Sequence, residues 1–89
     1  MNYTFSLDID TKMQCARLFD QSDWEGDTFS LTDPQKDYED QWHMFNIDGV
    51  EYDINIHQPE PGQWMADIYP VYNGRTSAST QIQCEVNVD

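Results

Sequence analysis

Cationic side chains are nearly missing from this chain. Lys12, Arg17, Lys36 and Arg75 are its only four in 89 residues, against seventeen Asp and Glu, and the formal net charge is −13. Proteins that grip DNA or RNA neutralise phosphates with Lys and Arg, so direct nucleic-acid binding is not expected. An anionic membrane surface is repelled on the same ground. Cysteine is scarce too: Cys15 and Cys84 lie far apart and make no disulfide framework, and each reads as a small buried apolar side chain. No apolar run is long enough to span a membrane. Residues 1–10 have no basic n-region and Asp8 interrupts their apolar residues, so no secretory signal is expected. The expected location is the cytoplasm, that of a host cell if the gene is phage-borne.

The usual signatures of metal and catalytic chemistry are also lacking. His43, His57, Cys15 and Cys84 are enough ligands for one zinc ion, but no two have zinc-finger spacing. The acids from Asp20 to Asp27 suggest a calcium loop. With Gly26 at its sixth position, however, Gln21 would stand first and Thr32 twelfth, where an EF-hand needs carboxylates. The four glycines are isolated, so no loop cradles phosphate. No nucleophile has a local motif beside it, and pairs of carboxylates are too common here to single one out. The expectation is a binding protein without enzymatic activity, cofactor or metal.

What is present is acid in one place. Residues 20–53 hold eleven acids: Asp20, Asp23, Glu25, Asp27, Asp33, Asp37, Glu39, Asp40, Asp48, Glu51 and Asp53. Lys36 alone opposes them, so this segment nets −10. A solvated or disordered acidic stretch is the plain alternative, and interleaved rings argue against it, Trp24, Phe29, Tyr38, Trp42 and Phe45 among them. Only 38% of the chain is hydrophobic while 13% is aromatic, so large rings should supply much of the core of a single domain. A domain of this size folds alone with modest stability, and repulsion among carboxylates subtracts from it.

Periodicity suggests an α+β fold: a mainly antiparallel sheet of four to six strands with one main helix. Tyr3, Phe5, Leu7 and Ile9 alternate with polar residues as a first strand. Asp10 or Thr11 is placed to cap the main helix, which would run to about Gln21. Thr28 to Leu31 suggests a short strand, and Thr32-Asp33-Pro34-Gln35 a brief helix with a capping box. Asp48-Gly49 between two strand-like runs is a type I′ hairpin signal, with Ile47 opposite Val50, Phe45 opposite Tyr52 and His43 opposite Ile54. One face of that hairpin is apolar. The other shows Trp42, Met44, Asn46, Glu51, Asp53, Asn55 and His57, with Glu51 and Asp53 about 6.6–6.8 Å apart along the strand. A turn is expected at 58–62, then a strand from Gln63 to Tyr72 whose Pro70 suggests an edge or bulge, a turn at Asn73-Gly74, and a last strand through Ile82, Cys84, Val86 and Val88. The first and last strands alternate cleanly enough for the sheet centre. An all-β sandwich or small barrel is the alternative if the helix fails.

In size and charge the chain resembles the small phage-encoded inhibitors that block restriction enzymes, uracil-DNA glycosylase or CRISPR effector complexes. The resemblance is one of class; no motif of a single family is present, and those families share no common fold. It implies an acidic protein that imitates DNA or RNA against a basic, nucleic-acid-binding protein surface. The candidate partner-binding residues are Asp20, Asp23, Glu25, Asp27, Asp33, Asp37, Glu39, Asp40, Glu51 and Asp53, with Trp24, Tyr38 and Trp42 as apolar or stacking anchors. Two other readings fit the charge: an immunity or antitoxin-like protein neutralising a cationic toxin, and an acidic accessory domain of a larger assembly. A monomer or a homodimer is compatible with the sequence.

Overall fold

The main helix does not form. The computed structural model describes residues 4–20, 26–31 and 40–89, and these form seven strands and one short 3-10 turn, Ala78–Thr80. The strands are β1 Phe5–Asp10, β2 Cys15–Asp20, β3 Asp27–Ser30, β4 Gln41–Ile47, β5 Val50–Glu60, β6 Gln63–Pro70 and β7 Ile82–Val88. The segment expected as helix is instead a four-residue turn followed by β2. Asp10 does cap, since its Oδ1 accepts the Lys12 and Met13 amides at 3.1 and 3.0 Å. With Gln14 at a φ of 54°, however, those bonds close a hairpin and do not start a helix. The residues after it favour that outcome: Ala16, Leu18 and Asp20 are buried and alternate with Arg17 and Phe19, which is period two.

The strand order is β3-β2-β1-β7-β6-β5-β4. Two antiparallel meanders, β1–β3 and β4–β7, join through a parallel pairing of β1 with β7. The first and last strands thus occupy the sheet centre, as their alternation suggested. The two edges, β3 and β4, curl toward each other. Phe29 of β3 stacks on His43 of β4 at 5.0 Å and lies 6.3 Å from Phe45, so side chains bridge the seam of a nearly closed barrel. The strands exceed the four to six expected, and the architecture is nearer the small barrel than a helix-backed sheet.

The core is the barrel interior. Phe5, Leu7, Ile9, Leu18, Ile54, Ile56 and Ile68 are fully buried, and Phe5, Phe45 and Tyr52 pack edge-on or stacked at 5.2 to 6.3 Å. Each such side chain contributes about 1.5–3 kcal/mol by leaving water. The Asp48-Gly49 hairpin has the expected register, with both residues at positive φ, 52° and 81°, as a type I′ turn requires. The turn expected at 58–62 is shorter, because β5 runs on to Glu60. A bulge between His57 and Glu60 accommodates Pro59, which has no amide to donate. Pro70 ends β6, an internal strand and not the expected edge. The helix start expected at 32–35 lies outside the described residues.

A candidate docking face on the outside of the barrel

Cross-strand pairing turns part of the outer surface into a grid. One row runs Met44, Asp53, Tyr69; the next runs Trp42, Asn55, Asp67 and on to Gln83 of β7. His57 stands opposite Met65 in a third. These side chains share a face because pairing sets their Cβ atoms side by side, pointing away from the core residues Phe45, Ile54 and Ile68. The hairpin turn fixes that phase: a slip of one residue would turn Trp42 and Asp53 inward.

The grid sets exposed apolar side chains of β4 and β6 beside acids of β5 and β6. Trp42 is 54% exposed, and Met44 and Met65 are exposed beside it. Trp42 and Tyr69 sit on strands two apart, roughly 9.5 Å between backbones, yet their ring centroids are 6.0 Å apart. The rings therefore lean together over β5. Beneath them Asn55 is only 5% exposed although it faces outward, and its Nδ2 has no hydrogen-bond partner. Leaving such a buried donor unmatched costs about 1–3 kcal/mol. Burial raises the Tyr69 hydroxyl above its usual titration range, and the carboxylates of Asp67 and Asp40 raise it further. Both carboxylates are thus near enough to the ring pair to act on it. The Asp67 carboxylate also accepts from Gln81 Nε2 at 2.7 Å, which holds it in place.

Such a surface suits a guanidinium or ammonium group. The ring faces attract a cation, neighbouring carboxylates pair with it, and the rigid sheet holds both in place before contact. The candidate residues from the sequence divide accordingly. Trp42 and Asp53 are in the grid, Asp40 and Glu51 border it, and Asp27 is exposed on β3, across the seam from β4. Asp20 is a correction: it is buried, and its Oδ1 accepts the Thr4 amide at 2.7 Å, because β2 alternation sends it inward with Leu18. It has no surface for a partner. Asp23, Trp24, Glu25, Asp33, Asp37, Tyr38 and Glu39 lie outside the described residues. Tyr69, Asp67, Met65 and Asn55 complete the site, and sequence reasoning missed the first three. The alternation of Gln63 to Pro70 contained them, but only the β5–β6 register sets them beside Trp42.

The histidines point to opposite sides, His43 into the seam and His57 outward. Among the described residues no three His, Cys, Asp or Glu side chains converge as a metal site. No family model matches the chain, and neither does any curated protein or solved structure.

Proposed function

We propose that this protein is a binding inhibitor of a nucleic-acid-binding protein or complex. In this reading its outer β4–β5–β6 face occupies a basic surface that would otherwise hold phosphates. The observation that supports this most is Trp42, more than half exposed on a rigid strand and leaning on Tyr69 with Asp40, Asp53 and Asp67 around the pair. A solubilising face would have no use for an exposed indole. An interface anchor is most often an aromatic, and acids around it steer a cationic partner. The net charge of −13 acts in the same direction at longer range. The wider class is that of acidic inhibitors deployed by mobile genetic elements against restriction or CRISPR machinery.

The experiment is capture of a partner from host lysate at low salt after nuclease treatment, followed by binding kinetics with wild type and with a Trp42→Ala/Asp53→Lys variant. The reading expects a nucleic-acid-processing protein, competition by duplex or single-stranded nucleic acid, and at least about a tenfold loss in the variant, as for a hot-spot residue. A ternary complex in which the partner keeps full affinity for its nucleic acid would exclude mimicry. A dedicated neighbouring toxin as the captured protein would identify an immunity role in its place.

A further inference from the structure

Asn55 is the oddest residue of the docking face. It points outward from β5, yet it is 5% exposed and its Nδ2 has no hydrogen-bond partner. Outward amides are ordinarily left to water, and a buried donor without an acceptor is costly. The register sets four side chains around it. Trp42 stands opposite Asn55, and Tyr69 stands opposite the next outward residue, Asp53, so the two rings occupy diagonal corners across β5. Met44, opposite Asp53, and Asp67, opposite Asn55, take the other two corners. The β4 and β6 backbones are roughly 9.5 Å apart, and the diagonal is longer still. The ring centroids are nevertheless only 6.0 Å apart, with their planes tilted by 36°.

The backbone spacing therefore leaves more room than the closed ring pair uses. A flat group between two rings, in ordinary contact at about 3.5–4.0 Å on each side, needs about 7–8 Å. Moving each ring outward by about 1 Å makes a slot of that width without moving a strand. The chemistry around the slot selects its occupant. Asp53 lies beside Asn55 on its floor, and Asp67 stands at one end with an oxygen held by Gln81 at 2.7 Å. Met44, well exposed, makes the opposite end apolar. The matching group is flat and cationic, on an apolar stem. A lysine ammonium is compact and strongly hydrated and has no face to stack, whereas a guanidinium stacks on rings and offers paired donors to carboxylates. A nucleotide base is flat too, but Asp53 and Asp67 repel its phosphate.

We infer that the Trp42–Tyr69 pair opens to take one arginine side chain of the partner protein, its guanidinium stacked between the rings and paired with Asp53 and Asp67, its methylenes along Met44. The inference rests on the docking role proposed for this face and names the group that the face selects. Opening also lets an acceptor, water or a main-chain carbonyl of the partner, reach Asn55 Nδ2. The closed state thus carries a cost that binding relieves. A second copy of this chain is not the source of the arginine, because two proteins at −13 each repel.

The test titrates the acetylated, amidated peptide Gly-Ser-Arg-Ser-Gly, and its lysine and citrulline forms, into the full chain at low salt, followed by the Trp42 indole and backbone amide resonances in NMR. The arginine peptide is expected to shift Trp42, Asp53, Asn55, Asp67 and Tyr69, with through-space proton contacts from its side chain to both rings. It is expected to bind at least about threefold more tightly than the lysine peptide, as a stacked cation allows. Citrulline keeps the flat shape without the charge, and is expected to bind at least about tenfold more weakly than arginine. Trp42→Leu, at an exposed position that leaves the core intact, is expected to abolish the preference for arginine. Equal affinity for the arginine and lysine peptides, no binding by either, contacts to one ring alone, or the same shifts on raising protein concentration without peptide would overturn the inference. The two claims fail separately. A captured partner that nucleic acid does not displace ends mimicry and leaves the arginine preference standing, while equal arginine and lysine binding beside intact competition ends only the slot.

Discussion

Asn55 and His43 are polar side chains on opposite faces of the same sheet, and each has a buried nitrogen without a partner. Asn55 lies under the Trp42–Tyr69 rings on the outside. If its amide is kept there for an acceptor on a partner, it costs the free protein stability. Asn55→Leu is therefore expected to raise the unfolding free energy in urea titrations by about 1 kcal/mol, while weakening partner binding; a loss of stability with unchanged binding would remove the amide from the site. His43 faces the seam against Phe29, and its burial lowers its pKa from 6.5. The folded protein holds this proton less tightly than the unfolded chain does. Its contribution is therefore unaffected above about pH 7 and turns unfavourable as pH falls through 6.5 toward the folded value. Acidification also relieves carboxylate repulsion, so the difference from His43→Phe isolates the histidine. Wild-type stability relative to that variant is expected to drop between pH 7 and 5 in denaturant titrations. Neither orphan nitrogen was legible in the sequence, because burial of a polar atom depends on what neighbouring strands place over it.

At the scale of elements, strand periodicity was legible and the first turn was not. The Asp48-Gly49 hairpin needs only local chemistry, two residues at positive φ between alternating runs, and its register followed from the turn alone. At 10–14 a true capping interaction led to the wrong element. Asp10 accepts two amides in a tight turn much as it would at a helix start, and the choice is made downstream by the alternation of Ala16, Leu18 and Asp20. The small barrel stood only as the alternative to a helix-backed sheet, since closure depends on rings from β3 and β4 meeting across the seam. Phe29 is the main bridge, touching both His43 and Phe45. Phe29→Ala is expected to cost about 3–5 kcal/mol, a large part of the stability of a domain this size. Hydrogen exchange should then rise first in β3 and β4; protection lost evenly over all seven strands would deny the seam a special role.

The whole molecule is governed by its charge, whose effects on stability and on binding run in opposite directions with salt. Among the described residues Lys12, Arg17 and Arg75 are exposed in the β1–β2 turn, on β2 and in the loop after β6, and the outer β4–β5–β6 face has carboxylates without lysine or arginine between them. Screening shortens their mutual repulsion, with a Debye length near 10 Å at 0.1 M and about 3 Å at 1 M. The melting temperature is therefore expected to rise with added NaCl. Complexes with a basic partner should loosen over the same range. The concentration of charge in residues 20–53 was plain in the sequence, and Trp42 and Asp53 on one face followed from the hairpin. The partners of that face on β6 came only with the fold, through pairs such as Asn55 with Asp67.

The most direct measurement is the affinity of the captured partner for wild type and for Trp42→Ala/Asp53→Lys from about 50 to 500 mM NaCl, with nucleic acid as competitor. A docking face that imitates phosphates should give wild type a steep, near-linear fall of log affinity with log salt, as phosphate-binding surfaces show. The variant should bind at least about tenfold more weakly, with a shallower slope, and nucleic acid should displace both forms. Equal affinity and equal slope for the two proteins, or a complex that nucleic acid leaves untouched, would contradict it.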